Sequence, residues 1–556
     1  MSGPLDAAVI IVGAGPAGLM LANELGHRGI ATLVICDRPG TSPYPQANAT
    51  QARTMEFYRR LGFAEKLRVR GLPPDHPTDV AYFTRVTGYE IARLELPPAQ
   101  DARALIKTLS GSWSAAELPH RCSQMYIEDT LLDEARRQKS VSLHFNWRVT
   151  RFTDHGDHVA VEAESADGSM KRTVTAQYLV GCDGPRSTVR RQLDLHYDGL
   201  AQVDRPFMSG RQLTTYIRAP AVYDVLKHKR AWQYWSMNHA QRGTLVTIDG
   251  KGEFTFGMQL PRDREESDIS EAESVARFHT MVGAEIPVEI INRKSWHAGY
   301  SLVAQAYQRG RVFMAGDAVH LFTPTGGLGY NTAVEDVVNL AWKLTGMVQG
   351  WGGPRLLDTY ETERRRVAVR NTGFAKYFAD TVGHFVPAPE IEDDTPAGAA
   401  ARETAGVLLN RHVREEFNIP GITFGARYDG SPIIAGDGLA NGGAPPPDKM
   451  NDYVPSAVPG GRAPHVWLAD GRSLYDTLGF EFSLLRLGSR APDATNLVKA
   501  AAARGLPLTI VDRPEAEIRD LYGADLALIR PDQIVAWRGN RLPGDPAALL
   551  AQVTGR

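Results

Sequence analysis

Apolar residues run unbroken through AAVIIV, stop at a glycine-rich stretch, and resume at helical spacing with Leu19, Ala22 and Leu25. This pattern predicts a buried strand over Ala8–Val12, a turn, a helix, and a second apolar strand over Ala31–Ile35. Together they make one βαβ unit, because parallel strands need a crossover of that kind. Between Asp204 and Leu260 the apolar runs become short, aromatic and β-branched (LTTYIRA, AWQYWSM, GTLVTID, EFTFGMQL), with Gly, Pro, Asn and Asp between them. Such alternation predicts an antiparallel sheet. After Arg309, a strand over Arg311–Met314 enters a second glycine-rich turn and a long helix from about Asn331 to Leu344. Pro, Gly and acidic residues dominate from Val386 to Thr404 and from Asp429 to Pro464, which read as linkers. The C-terminal part alternates again (LPLTIVD, then ADLALIRPDQIVAWRG), as a small separate α/β domain would. No internal repeat is visible.

At 556 residues the chain holds two or three cores. A hydrophobic fraction of 43% and a charged fraction of 23% are those of a soluble globular protein. The net charge of −2, without a periodic basic face, argues against a nucleic-acid partner. Cys36, Cys122 and Cys182 are far apart and form no CxxC or Cys/His ligand spacing. No metal site or disulfide framework is expected, and a reducing, cytoplasmic compartment fits. The apolar stretch Val9–Ile35 is interrupted by five glycines and by Glu24, His27 and Arg28. It reads as a soluble strand–turn–helix and not as a membrane span.

The first glycine-rich turn is Gly13-Ala14-Gly15-Pro16-Ala17-Gly18. Gly13 permits the tight turn, Gly15 lets the backbone approach a pyrophosphate, and Gly18 lets helix pack on strand, while the helix N-terminus attracts the phosphate charge. Asp37 stands about twenty residues on, where a ribose-binding acid belongs. This motif alone leaves FAD and NAD equally open.

The segment RVFMAGDAVHLFTPTGGLGYNTAVEDVVNLAWKL resembles the second flavin fingerprint of the aromatic-ring hydroxylases, the family typified by para-hydroxybenzoate hydroxylase and phenol hydroxylase. AQYLVGCDGPRSTVR is similar to the Asp-Gly motif that stands between that family's two flavin segments. ANATQARTMEFYRRLG, then SQMYIEDTLLDEA, and the tail LLDTYETERRRVAVRN are also family-like. The resemblance implies an α/β fold: a Rossmann-like FAD-binding domain (1–80, 110–190, 300–385) with an interleaved antiparallel-sheet substrate domain (81–109, 191–299). A connecting segment (386–455) and a thioredoxin-like C-terminal domain (456–556) follow. No cysteine lies after Cys182, so thiol chemistry is excluded there and a structural or homodimer-forming role remains.

The implied activity is monooxygenation of a small phenolic compound, as in phenol degradation, with tightly held FAD, transient NAD(P)H, and O₂ attacking the ring by way of a flavin C4a-hydroperoxide. Cofactor contacts are expected from Gly13, Ala14, Gly15, Pro16, Gly18, Asp37, Arg53, Gln124, Asp183, Asp317, Gly327, Leu328, Gly329 and Asn331. The Asp317 carboxylate suits ribityl hydroxyls, the N–H groups of the PTGGLGYN loop suit negative charge on reduced flavin, and Pro324 would lie against the reactive edge. Asp183 could equally serve an ordinary Asp-Gly turn.

Three departures from the family stand out. Cys36-Asp37 occupies the place of a Glu followed by a basic residue, so that Asp37 would reach the ribose from one position later. Pro45-Gln46-Ala47 replaces Pro-Arg-Ala. Asn48 stands where phenol-hydroxylating relatives carry Asp or His; an amide can orient a hydroxyl but is no base at neutral pH, or it simply caps a turn. Substrate contacts are expected from Asn48, Arg211, Tyr216, Tyr234 and His239. A hydroxylase of larger polycyclic natural products shares every flavin motif, and a flavin-binding redox sensor is the non-enzymatic alternative. The halogenase WxWxIP motif is absent, since Trp232 and Trp235 lack the Ile-Pro.

Overall fold

A computed structural model describes residues 5–201, 205–261, 263–439 and 442–556. Asp204, where the sequence places the start of the antiparallel region, lies outside them.

The strand Ala7–Val12, buried at every position, feeds helix α1 (Pro16–His27), and Thr32–Cys36 returns parallel to it. Val141–Phe145 extends this sheet on one side, while Lys171–Gly181 and Val312–Met314 extend it on the other, all parallel. Ala7–Val12 is therefore the point from which the strand order runs both ways, and open parallel sheets bind ligands beyond the carboxyl ends of such strands. Helices α2 (Ala52–Arg60) and α3 (Gln124–Arg137) pack beside it.

A second sheet joins Val80–Phe83 and Glu90–Leu94 to five strands between Gly210 and Ala298. All its pairings are antiparallel except Gln233–Met237 with Val80–Phe83. Strand alternation gives the sheet two apolar faces. Phe83, Leu213, Tyr234, Leu245, Phe254 and Phe256 pack toward helix α4 (Glu271–Val282). Val80, Tyr82, Trp235 and Met237 face the opposite way.

The long helix after the second glycine-rich turn is α5 (Leu328–Gln349), set between Gly327 and Gly350, both in the left-handed region. Helix α6 (Asp358–Gly383) follows. The stretch from Val386 to Thr404 is not wholly a linker: helix α7 (Pro396–Phe417) begins inside it. Pro396 occupies the first helical turn, where its missing N–H costs nothing, and the Thr395 hydroxyl caps Gly398 N–H at 3.1 Å. Leu409 and Val413 of α7 cover the Tyr82–Trp235 face of the second sheet.

A four-stranded sheet closes the chain, in the order Leu508–Arg513, Phe482–Leu487, Leu526–Ile529, Val535–Gly539, with only the first pair parallel. Its core takes in Trp342 of α5 and Trp351. Buried charge welds the same boundary. Glu363 of α6 accepts from Arg530 (2.7 Å) and Lys343 (2.8 Å), and Asn339 bridges Glu363 and Asp532. Glu56 of α2 pairs with both Arg53 and Arg462. Among the described residues no helix is long and apolar enough to cross a membrane.

Burial alone would push the Glu56 carboxyl up, but Arg462 and Arg53 beside it hold it at about 2. A carboxyl held that low contributes about 3 kcal/mol, complete above roughly pH 4.5 and lost as the pH falls toward 2. We expect tryptophan fluorescence to report loosening of the C-terminal unit across that window. Arg462→Ala, which leaves the buried Glu56 with Arg53 as its remaining cation, should cost about 1.5–3 kcal/mol in urea denaturation.

Candidate cofactor site and active site

Four segments meet at the carboxyl ends of the parallel strands: the turn after Ala7–Val12, Asp37-Arg38, Cys182-Asp183 and Ala315–Asp317. Gly13 has φ +102°, and a Cβ there would lie 2.4 Å from the Cys182 carbonyl. A Cβ on Gly18 would lie 2.0 Å from the Gly13 carbonyl. Those two glycines are required by the fold itself. Gly15 is different: it caps α1 with an ordinary φ of −82°, and a Cβ there would meet nothing nearer than Arg38 Nη2, at 4.0 Å. Its backbone, the α1 N-terminus with Pro16 in the first turn, and the Arg38 guanidinium thus form a cradle that a side chain would fill. That cradle fits a pyrophosphate by both geometry and charge.

Arg38 donates to the Ala14 carbonyl at 3.0 Å and lies 3.6 Å from Glu128. Glu128 in turn accepts from Gln124 (2.8 Å) and from Ser42 N–H (2.9 Å). Gln124 is therefore held at the same rim, and Asp37 is exposed beside it. Arg38 was not singled out from sequence, although the signal was there: shifting the acid-then-basic pair by one position gives Asp37-Arg38.

Asp183 accepts from the N–H groups of Thr188 (2.7 Å) and Val189 (3.2 Å) through Oδ2, while its buried Oδ1 has no partner. Burial pushes its carboxyl up. Asp317 presents an exposed side chain from deep within the fold, and there too desolvation raises the carboxyl, against the opposing pull of His320. The turn carrying it is fixed from behind. Asp336 of α5 accepts from Gly316 N–H (3.2 Å), lies 2.7 Å from His320 Nε2, and pairs with Arg364 at 2.9 Å. Burial opposes ionisation of Asp336, but His320 and Arg364 hold its carboxyl below the ordinary range. A carboxyl group with a free acceptor at each of two strand ends suits the hydroxyls of a ribityl chain.

Gly326 and Gly327, with φ of +62° and +63°, turn the PTGGLGYN loop into the N-terminus of α5, which presents backbone N–H groups. A Cβ on Gly327 would lie 2.8 Å from Ala49 Cβ, so the Asn48–Thr50 segment packs directly on this loop. Asn48 donates to the Gln46 carbonyl at 3.1 Å and keeps a buried, unpartnered Oδ1. Pro324 is exposed, and Gly329 lies against Phe322. Glu416, at the C-terminal end of α7, accepts Gly326 N–H at 2.8 Å. No sequence motif pointed to that residue.

Several expected residues lie elsewhere. The Arg53 guanidinium is taken up by Glu56, by the Asp532 carbonyl (2.7 Å) and by Gln533, so it faces the C-terminal unit and not the glycine-rich turn. The Asn331 amide is used up internally: it accepts from Gln51 N–H and Thr54, and donates to Ala49 and Gly327 carbonyls. It clamps the loop and has no side-chain capacity left for a cofactor. Tyr234 packs on the sheet face turned toward α4, its oxygen accepting from Ala231 N–H, whereas the neighbouring Trp235 faces α7. His239 is exposed in the turn between Gln233–Met237 and Arg242–Thr247. Arg211 pairs with Glu265, and Tyr216 donates to Glu253. No cluster of metal-ligating side chains occurs among the described residues.

The two kinds of glycine can be told apart by substitution. Gly15→Val should leave apoprotein stability within about 1 kcal/mol of the parent while sharply lowering retained flavin, read by absorbance after desalting. Gly18→Ala should instead impair folding itself.

Comparison with known proteins agrees with this arrangement. Residues 6–375 match the FAD binding domain family, and 456–556 match the aromatic-ring hydroxylase C-terminal family. The chain is 29% identical to the FAD-dependent monooxygenase apdD of Emericella nidulans, over 98% of this chain and 90% of that protein. It is 28% identical to a phenol 2-monooxygenase of a Pseudomonas species, over 99% and 92%. Among solved structures, the rebeccamycin biosynthetic enzyme RebC with reduced flavin superposes with a TM-score of 0.86 at 32% identity, covering both chains completely. Aklavinone-11 hydroxylase, in a ternary complex with FAD and aklavinone, does so with a TM-score of 0.82 at 26% identity, again over the whole of both chains. With the FAD-binding match spanning most of its length and its strand ends arranged for a dinucleotide, this chain belongs to the flavoprotein aromatic hydroxylases, FAD-dependent monooxygenases.

Proposed function

We propose that the protein hydroxylates an electron-rich aromatic ring bearing a hydroxyl group, using NAD(P)H as reductant and O₂ as oxygen donor. The observation that carries this reading is the packing of the Asn48–Thr50 segment and Glu416 on the loop Pro324–Asn331, beside the aromatic sheet face of Tyr82 and Trp235. We divide the chain as a Rossmann-like FAD-binding domain, an interleaved substrate domain and a thioredoxin-like C-terminal domain lacking cysteine.

Gly13 to Pro16 and Arg38 would hold the pyrophosphate, Asp37 the adenosine ribose, and Asp317 with Asp183 the ribityl chain. The N–H groups of Gly327 to Gly329 would face the polar edge of the isoalloxazine. When bound, the flavin supplies the activation of oxygen. The protein's own contribution is to orient the ring, exclude water and receive a proton. Asn48 can hold a ring hydroxyl through its unpartnered Oδ1, but as an amide it leaves proton acceptance to another group or to water.

A second reading, a polycyclic substrate, is favoured by the breadth of the aromatic wall, which also includes Phe207 and Trp232, and by the full-length likeness to RebC and aklavinone-11 hydroxylase. One-ring phenols and hydroxylated polycyclic compounds should be assayed side by side for stimulated NAD(P)H consumption, a product sixteen mass units heavier, and released peroxide. Coupled turnover of one class decides between the readings, and no stimulation by either would refute both. Asn48→Ala should lower coupling, raising peroxide per NAD(P)H consumed, with FAD content unchanged.

A further inference from the structure

Helix α7 presents Leu409, His412, Val413 and Glu416 on one stripe, at i, i+3, i+4 and i+7. The two aliphatic residues join the core against the second sheet, and the two polar ones are buried with them. Around them lie Tyr82 and Trp235, stacked at 5.5 Å, with His412 edge-on to Tyr82 at 6.3 Å. Arg121 completes the group, its guanidinium 4.5 Å over Trp232 and 5.6 Å from the Phe417 ring, next to Glu416 in sequence. All five side chains are at least nine-tenths buried. Six of their polar atoms have no hydrogen-bond partner: Tyr82 Oη, Arg121 Nη1, Trp235 Nε1, both His412 nitrogens, and Glu416 Oε2. His412 Nε2 is 2.9 Å from Glu416 Oε2 but is not aligned to bond with it.

Folded proteins leave few buried polar groups unsatisfied, so six such atoms in one contiguous group call for a bound polar partner. Burial pushes the Arg121 guanidinium down to about 10, and Glu416 is the charge that opposes this. Glu416 is already tied to the flavin-side loop through Gly326 N–H, so whatever its Oε2 holds lies next to that loop.

We propose that Tyr82, Arg121, Trp235, His412 and Glu416 form the subsite for the polar edge of the substrate, with Glu416 Oε2 accepting a ring hydroxyl and Arg121 and Trp235 donating to a neighbouring oxygen. The inventory selects the ligand class. One cation, one carboxylate, and a mixture of donors and acceptors suit a neutral aromatic that carries both a hydroxyl and a carbonyl or second oxygen. A carboxylate-bearing ring would set its charge against Glu416. This inference rests on the hydroxylase reading for its substrate but is tested by binding alone.

The FAD-loaded protein is titrated with phenol, anisole and benzoate, and with a naphthol, its methyl ether and the corresponding naphthoate, following perturbation of the flavin spectrum. For at least one ring size the hydroxyl compound should bind about ten- to a hundredfold tighter than its ether and than its carboxylate. Glu416→Gln preserves size and the bond from Gly326 but turns the Oε2 acceptor into a donor, and should erase the hydroxyl-over-ether preference. Trp235→Phe keeps the stacking ring, removes one donor, and should weaken binding of the hydroxyl compound several-fold. FAD content and melting temperature check that both variants fold. The proposal is overturned if no probe binds, if ether or carboxylate binds as well as the hydroxyl compound, or if neither variant alters the preference. Hydroxyl-selective binding without stimulated NAD(P)H consumption would leave the subsite standing and sink the hydroxylase reading. Stimulated turnover that ignores both variants would do the reverse.

Discussion

Asp336 has no exposed surface, yet it gathers Gly316 N–H and His320 from one turn and Arg364 from α6. Through Gly316 it fixes the turn that carries Asp317; through Arg364 it locks α5 to α6. A buried carboxylate survives only if its partners repay desolvation, and here a cation, an imidazole and a backbone donor do so together. Removing it would leave the fully buried Arg364 with Glu335 as its remaining carboxylate and would free the turn at the end of Val312–Met314. The second flavin motif is thus held by an interaction that touches none of the expected cofactor contacts.

The C-terminal unit depends on the same helices. Lys343 and Asn339 on α5 and Glu363 on α6 meet Arg530 and Asp532 from the four-stranded sheet, while Arg53 and Glu56 on α2 meet Gln533 and Arg462. Trp342 of α5 packs with Trp351 and Phe482 in that sheet's core. Helix α5 therefore carries both the contacts to this unit, through Asn339 and Trp342, and, at its N-terminus, the PTGGLGYN loop.

Much of the cofactor side was legible because it obeys local rules. Gly18 is demanded by a contact within one strand–turn–helix unit and Gly13 by the positive φ of its turn, and the strand–turn–helix around Asp317 repeats that logic. The substrate side was not legible in the same way. Tyr234 and Trp235 are adjacent, equally aromatic and equally buried; only the sheet's register decides which faces α7. Arg53 and Asn331 stand in family-like motifs, but their partners, Gln533 and the Ala49–Thr54 segment, lie far away in sequence. Pro396 lies in a stretch whose composition reads as a linker, whereas it starts the helix that carries His412 and Glu416.

The sequence by itself determined the parallel unit, the first glycine-rich turn and the second glycine-rich loop. Each of these is set by residue type at short spacing, where backbone conformation and side-chain chemistry leave little choice. Only the tertiary structure decided which face of the sheet meets the loop, that Arg38 and not Arg53 lies beside the first glycine-rich turn, and that a helix from the apparent linker delivers a carboxylate to Gly326. Those outcomes depend on packing between segments hundreds of residues apart, and neither the period of a strand nor the composition of a linker encodes which surfaces will be pressed together.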